Sequence, residues 1–347
     1  MTPVLAPLPP QCANNATTPT NTSSSAYACG STKDSNYSIA IVNTGDPFTV
    51  DEQAAVSAAV NKWTSVIVGD TPGVPGPYTI PANSSCGNTD QIVLPGGVDD
   101  MLVLMNFKPM SDNSTLGFGG VCAVNAVSGT AFIGFVIINS NLVPEMIADG
   151  ILNGVVQHEM GHAQGFGILW NLTGHWDCGP QLPASTGVTP DTYFSCPKAQ
   201  AQFNAVGGAP YSGKKVPLQN TGGDGVWNIH WRESVFGDEL MTPYVLPTNR
   251  APLSVVTVGQ FEDIGHVVNY AAADPYVLPG TADATADGEV NAEDSNSQSP
   301  RSFSLANDVK PVDIEVVGRG PDGQAVVERV IKAHEMFPKE VTEAWGV

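Results

Sequence analysis

Apolar positions along the chain fall into strand-like and helix-like runs from about Tyr37 onward. SIAIVN, residues 38–43, reads as a strand, and TVDEQAAVSAAVNKWTSVI repeats Val56, Val60, Trp63 and Ile67 at helical spacing. Thr49 with Glu52 three residues later forms a capping-box pattern at the start of that helix. QIVL, MLVLMNF and TAFIGFVIIN are short apolar runs bounded by turn residues, so they predict strands buried on at least one face, and together a mixed sheet. Pro144 and Glu145 suit the first turn of a second helix. On it Ile147, Ile151, Val155, His158 and His162 lie on one stripe that runs to Gly165, which predicts a single long helix.

Regular patterning then fades. Residues 171–229 are rich in Gly, Pro and Asn and read as loops, before TVGQFEDIG predicts a capped helix stopped by Gly265. After Tyr276 comes an acidic, Ser- and Asn-rich linker, TADATADGEVNAEDSNSQSP, then a strand at PVDIEVV and a helix near QAVVERVIKAHEM. Residues 1–35, rich in Pro, Thr, Ser and Asn, hold too little apolar surface to order themselves and read as a disordered or processed tail.

Charge narrows the partners. With 14 Lys and Arg against 34 Asp and Glu, a net charge of −20 over 347 residues excludes a nucleic-acid surface, which needs clustered cations. The six cysteines, Cys12, Cys29, Cys86, Cys122, Cys178 and Cys196, include no C-x-x-C pair, as expected of disulfides formed in an oxidising compartment, and sequential pairing is the simplest arrangement. Asn-x-Ser/Thr triplets at Asn15, Asn21, Asn36, Asn83, Asn113 and Asn171 point to the same secretory route. MTPVLAPLPP lacks the basic start and apolar core of a signal peptide, and no run has the length of a transmembrane segment. A secreted monomer is the expectation.

VVQHEMGHAQGFG carries the chemistry. On a helix, His158 and His162 share one face and can present imidazole nitrogens to a single ion, while Glu159, one step round, can reach a water on that ion without binding it. A catalytic zinc takes three protein ligands. The compact motif HExxHxxGxxH would put the third six residues after His162, but Ile168 stands there, which leaves His175, His230, His266 and His334. His266 and His334 read as surface residues. His175 shares a tight loop with Cys178, and His230 lies in NIHWRESVFGDELMTPY.

HEMGHAQGFG followed at a distance by HWRESVFGDELMTP resembles the leishmanolysin family of metzincin zinc peptidases, over roughly residues 37–276. The resemblance implies an α+β metzincin fold with a twisted mixed sheet, a long active-site helix above a cleft and a loop-rich C-terminal subdomain. It implies Zn2+ held by His158, His162 and His230, with Glu159 as catalytic base, Gly165 turning the chain and Met241 forming an apolar floor. The implied division is 36–167 as the N-terminal catalytic subdomain, 168–276 as the C-terminal one with the third histidine and the methionine turn, and 277–347 as acidic linker and small tail. The implied substrates are proteins or peptides, docked as an added strand on the sheet along a segment such as TAFIGFVIIN. The tail does not resemble the cysteine-rich, lipid-anchored end of the family's surface enzymes. Tyr244 sits one residue later than the metal-touching tyrosine of other metzincins. The alternative readings are an inactive zinc-binding glycoprotein acting in adhesion or as a decoy, and a zymogen whose Cys12 or Cys29 occupies the zinc.

Overall fold

The computed structural model describes residues 36–279, apart from 85, 112–113, 173–174, 181–190, 212–214, 222–225 and 246–250. It also describes 313–332 and the short strands Ala13–Asn14, Ser24–Ala28 and Phe303–Ser304. The tail reading of 1–35 and the linker reading beyond 279 therefore fall mostly outside the described residues, as do Cys12, Cys29, His334, Asn15, Asn21 and Asn113.

A six-stranded mixed sheet organises the molecule. Its strands are β1 (Ile39–Asn43), β2 (Met101–Lys108), β3 (Gly117–Asn125), β4 (Ala131–Asn139), β5 (Ile314–Arg319) and β6 (Ala325–Ile331), in the spatial order β6, β5, β3, β4, β2, β1. β1, β2 and β4 run parallel, while β3 is antiparallel to β4. Both faces are covered, so β2 and β4 are almost wholly apolar. Met101, Val103 and Met105 enter the core beneath the helices, and Leu102 and Leu104 enter the core on the opposite face. The run TAFIGFVIIN is thus interior, flanked by β3 and β2, and offers no edge to a substrate.

Helix α1 (Val50–Val66) begins at Thr49 with both halves of the capping box formed, and it buries Val56, Val60 and Trp63. The stripe from Ile147 to His162 is not one helix. It divides into α2 (Val143–Ala148) and α3 (Leu152–Ala163), because Gly150 takes φ +72°, a left-handed conformation that ends a helix. Ile147 consequently faces solvent. α3 has 12 residues and packs on α1, β3 and β4.

Close approach of α3 to the sheet depends on glycines in the strands. A Cβ at Gly119 would lie 2.1 Å from the Glu159 carbonyl oxygen, and one at Gly134 would lie 2.5 Å from that of Ala163. GFGGVCAVN forms β3 although glycine weakens strand propensity, and glycine inside a strand is itself the mark of a backbone packed closely against it.

Beyond α3 the loop-rich region contains a helix that the pattern did not show, α4 (Pro197–Phe203), packed on α5 (Val255–Asp263). Asp263 accepts the Lys198 and Ala199 amide hydrogens at 3.0 and 2.8 Å, which caps α4 from α5. α5 starts at Ser254, whose hydroxyl accepts the Thr257 amide, and Gly265 follows it at φ +91°. Disulfides join Cys86 to Cys122 and Cys178 to Cys196, two of the three sequential pairs.

Residues 325–331 form a strand where a helix was expected. Val326, Val327, Val330 and Ile331 favour extended backbone, and Gly323 at φ +82° turns the chain so that β6 pairs antiparallel with β5. No helix among the described residues is long and apolar enough to cross a membrane.

Candidate metal centre

The second half of α3 presents His158 and His162 one turn apart. The helix ends in a Schellman arrangement, with Phe166 N–H donating to the Gly161 carbonyl at 3.1 Å and Gly165 N–H to that of His162 at 3.0 Å. Gly165, at φ +114°, turns the chain there. His230 arrives from a segment whose backbone is fixed separately, since Trp231 N–H donates to the Met241 carbonyl at 3.0 Å and Gln219 N–H to that of His230 at 2.9 Å.

The three imidazoles meet. Nε2 of His162 lies 3.0 Å from Nε2 of His158 and 3.1 Å from Nε2 of His230, and the third side of the triangle is 3.3 Å. Nitrogens held tetrahedrally at about 2.0 to 2.1 Å from one zinc lie roughly 3.3 Å apart, so this triangle has the size for a single ion. Each Nδ1 faces a backbone carbonyl: Leu240 at 2.6 Å from His158, Phe166 at 3.0 Å from His162 and Val226 at 3.1 Å from His230. Those carbonyls select the tautomer that carries hydrogen on Nδ1 and leave the Nε2 lone pairs pointing inward. None of the three carbonyls is identifiable from residue type, because any amino acid supplies one.

Electrostatics agree. Burial pulls all three imidazoles below their ordinary pKa, His162 to about 4, and mutual repulsion lowers His158 and His230 further. They are uncharged at neutral pH, the form that binds metal.

Glu159 is fully buried, and among the described residues neither carboxylate oxygen has a hydrogen-bond partner. Burial holds its pKa well above the usual carboxylate value. Its Cγ would lie 3.1 Å from a Cβ at Gly117, so its side chain leaves α3 toward the start of β3. An unpartnered buried carboxylate beside three neutral imidazoles is costly, and a divalent cation with a water would satisfy both. The donor set therefore fits zinc.

Met241 packs below α3, with Sδ 2.9 Å from where a Gly161 Cβ would stand. Its loop is held by Glu239, a buried carboxylate that accepts from the Met241 amide at 2.6 Å, the Ser254 amide at 3.0 Å, Ser254 Oγ at 2.7 Å and Thr257 Oγ1 at 2.5 Å. Trp231 Nε1 donates to the same Thr257 hydroxyl at 2.8 Å. Glu239 thus ties the methionine loop, the residue after His230 and the start of α5 into one block. Nothing in the local sequence marks Glu239 as buried, since an acid between Asp238 and the apolar Leu240 looks like an ordinary surface carboxylate.

The remaining candidates stand elsewhere. His175 packs beside Gly129 and Trp176. His266, expected at the surface, is buried edge-on to Tyr37, because Gly265 turns the chain back under α5. Tyr244 is half-buried in a short strand paired with Phe303–Ser304.

The sequence model for leishmanolysin matches residues 79–291, a span containing His158, Glu159, His162, His230 and Met241. No curated protein matches the chain.

Proposed function

The chain belongs to the leishmanolysin family of zinc-dependent metallopeptidases, and from that membership we propose that it is a secreted zinc endopeptidase of the metzincin type. The observation that carries the reading is the triangle of three neutral, inward-facing Nε2 atoms next in sequence to a buried carboxylate that has no hydrogen-bond partner among the described residues. His158, His162 and His230 hold the ion, Glu159 moves protons, and Met241 packs under the site as an apolar floor. Zinc held there would supply Lewis acidity, polarising a peptide carbonyl and making a nearby water easier to deprotonate.

Glu159 accepts the proton of the attacking water and returns it to the leaving amine. The Nδ1 contacts to Leu240, Phe166 and Val226 keep the imidazoles from rotating out of register. An extended peptide docks along the outer side of β3, the strand nearest Glu159. Disulfides support passage through an oxidising compartment. Among the sequons, Asn36 and Asn83 are exposed and fit glycosylation, whereas Asn171 is half-buried with its side-chain oxygen taken by the Gly179 amide.

The test is zinc content and casein cleavage of the parent beside Glu159→Ala. Equal zinc in both with activity only in the parent is expected; equal activity in both would end the catalytic reading. An inactive binding protein would show zinc without cleavage in the parent as well.

A further inference from the structure

The C-terminal hairpin bears on how far a substrate can run along β3. β5 lies parallel to β3 on the side away from β4, with Glu315, Val316 and Val317 opposite Ala123, Val124 and Asn125. Ala126 N–H donates to the Val317 carbonyl at 2.8 Å, which carries the pairing past the end of β3. Tyr78 Oη donates to Glu315 Oε2 at 2.5 Å from a neighbouring sheet. Ile314, Val316, Val317 and Ile331 are buried in the cores on the two faces of the main sheet. The hairpin is therefore a fixed part of the sheet.

Glu159 lies against the opposite end of β3, at Gly117 and Gly119. Ala123 lies four positions beyond Gly119, roughly 13 Å at about 3.3 Å per residue. Backbone groups on one side of a strand serve one partner strand, so a peptide docked beside Glu159 must leave β3 where β5 begins.

We propose that the hairpin is a specificity device: by occupying β3 from Ala123 onward, it limits the substrate to about four extended residues on one side of the scissile bond. This inference rests on the peptidase reading above. Antiparallel pairing, with its straighter hydrogen bonds, is the stronger mode. β3 runs from Glu159 toward the hairpin, so antiparallel docking places the N-terminal side of the scissile bond along the restricted stretch. The C-terminal side leaves in the other direction and meets no such stop.

Zinc-loaded full-length enzyme is assayed on quenched peptides with one cleavable bond, lengthened residue by residue on the N-terminal side, and separately on the C-terminal side. Each newly paired residue is expected to raise kcat/KM by roughly three- to ten-fold, with the N-terminal series breaking to a plateau near the fourth residue. The C-terminal series is expected to show no break set by this hairpin. In addition, a non-cleavable peptide carrying a benzophenone at the fifth N-terminal residue is expected to label residues 313–319. A climb that continues through the eighth N-terminal residue, or labelling confined to other segments, overturns the proposal. Failure of the zinc-loaded enzyme to cleave casein or any peptide rejects the peptidase reading itself, and the length limit with it.

Discussion

Gly119→Ala tests whether the site depends on how closely α3 rides on the sheet. The added Cβ would stand 2.1 Å from the Glu159 carbonyl oxygen, 2.8 Å from its carbonyl carbon and 3.0 Å from its Cα, all backbone atoms that no rotamer change can move. Reaching even 3.0 Å requires a shift of roughly 0.9 Å in the turn carrying Glu159 and both helix histidines. That turn cannot slide freely, since Trp63 Nε1 donates to the Gln157 carbonyl at 2.9 Å and His158 is tied to Leu240 at 2.6 Å. Overpacking of this kind costs about 1–3 kcal/mol, which lowers Tm by roughly 2–10 °C in a body of this size. A displacement near 1 Å at the reacting groups costs on the order of 100-fold in kcat/KM. The control is Gly154→Ala, also in α3, where among the described residues the new Cβ meets only the Ala251 Cβ at 3.3 Å and the helix gains up to about 1 kcal/mol of propensity. Thermal unfolding and cleavage of a quenched peptide are measured for both variants. Gly119→Ala with the parent's Tm and with kcat/KM within two-fold would refute the reasoning.

Three further outcomes follow from named contacts. His266 is buried with no hydrogen-bond partner among the described residues and a pKa pushed down to about 4, below its unfolded value, so between pH 6.5 and 4 the unfolded chain holds the extra proton and stability falls as pH falls. Urea unfolding at pH 7.5 and 4.5 should show the parent losing about 3 kcal/mol more than His266→Phe, and identical losses would count against this account. Glu239→Ala strands four buried donors and frees the loop whose Leu240 carbonyl orients His158; zinc affinity by chelator competition should drop roughly 10- to 100-fold, and an unchanged affinity would sink the idea. Replacing Cys178 and Cys196 together by serine opens an 18-residue span and should cost about 3 kcal/mol in denaturant unfolding, whereas an unchanged midpoint would show that the loop is held by other contacts.

Much of this molecule is legible in local patterns. The Thr49–Glu52 capping box, the Val56–Val60–Trp63 stripe, the placement of His158 and His162 on one helix face and the turn at Gly165 all depend on residues within a few positions of one another. Local hydrogen bonds and helical spacing decide such features, and a residue's neighbours in the chain are its neighbours in space. Patterning failed where one residue overrode the rest, as at Gly150, or where strand and helix share an apolar composition, as at 325–331.

The tertiary structure alone decided the meeting of distant segments. His230 reaches the helix pair through the Trp231 to Met241 backbone bond and the Glu239 block; His266 is drawn inward; the glycines of β3 admit α3; and β5 docks on β3 at Ala123. These contacts are set by register and by backbone carbonyls and amides, which every residue possesses and no residue type announces. The chain's own order therefore specifies which groups are available for chemistry, while packing between remote segments determines which of them come close enough to hold one ion.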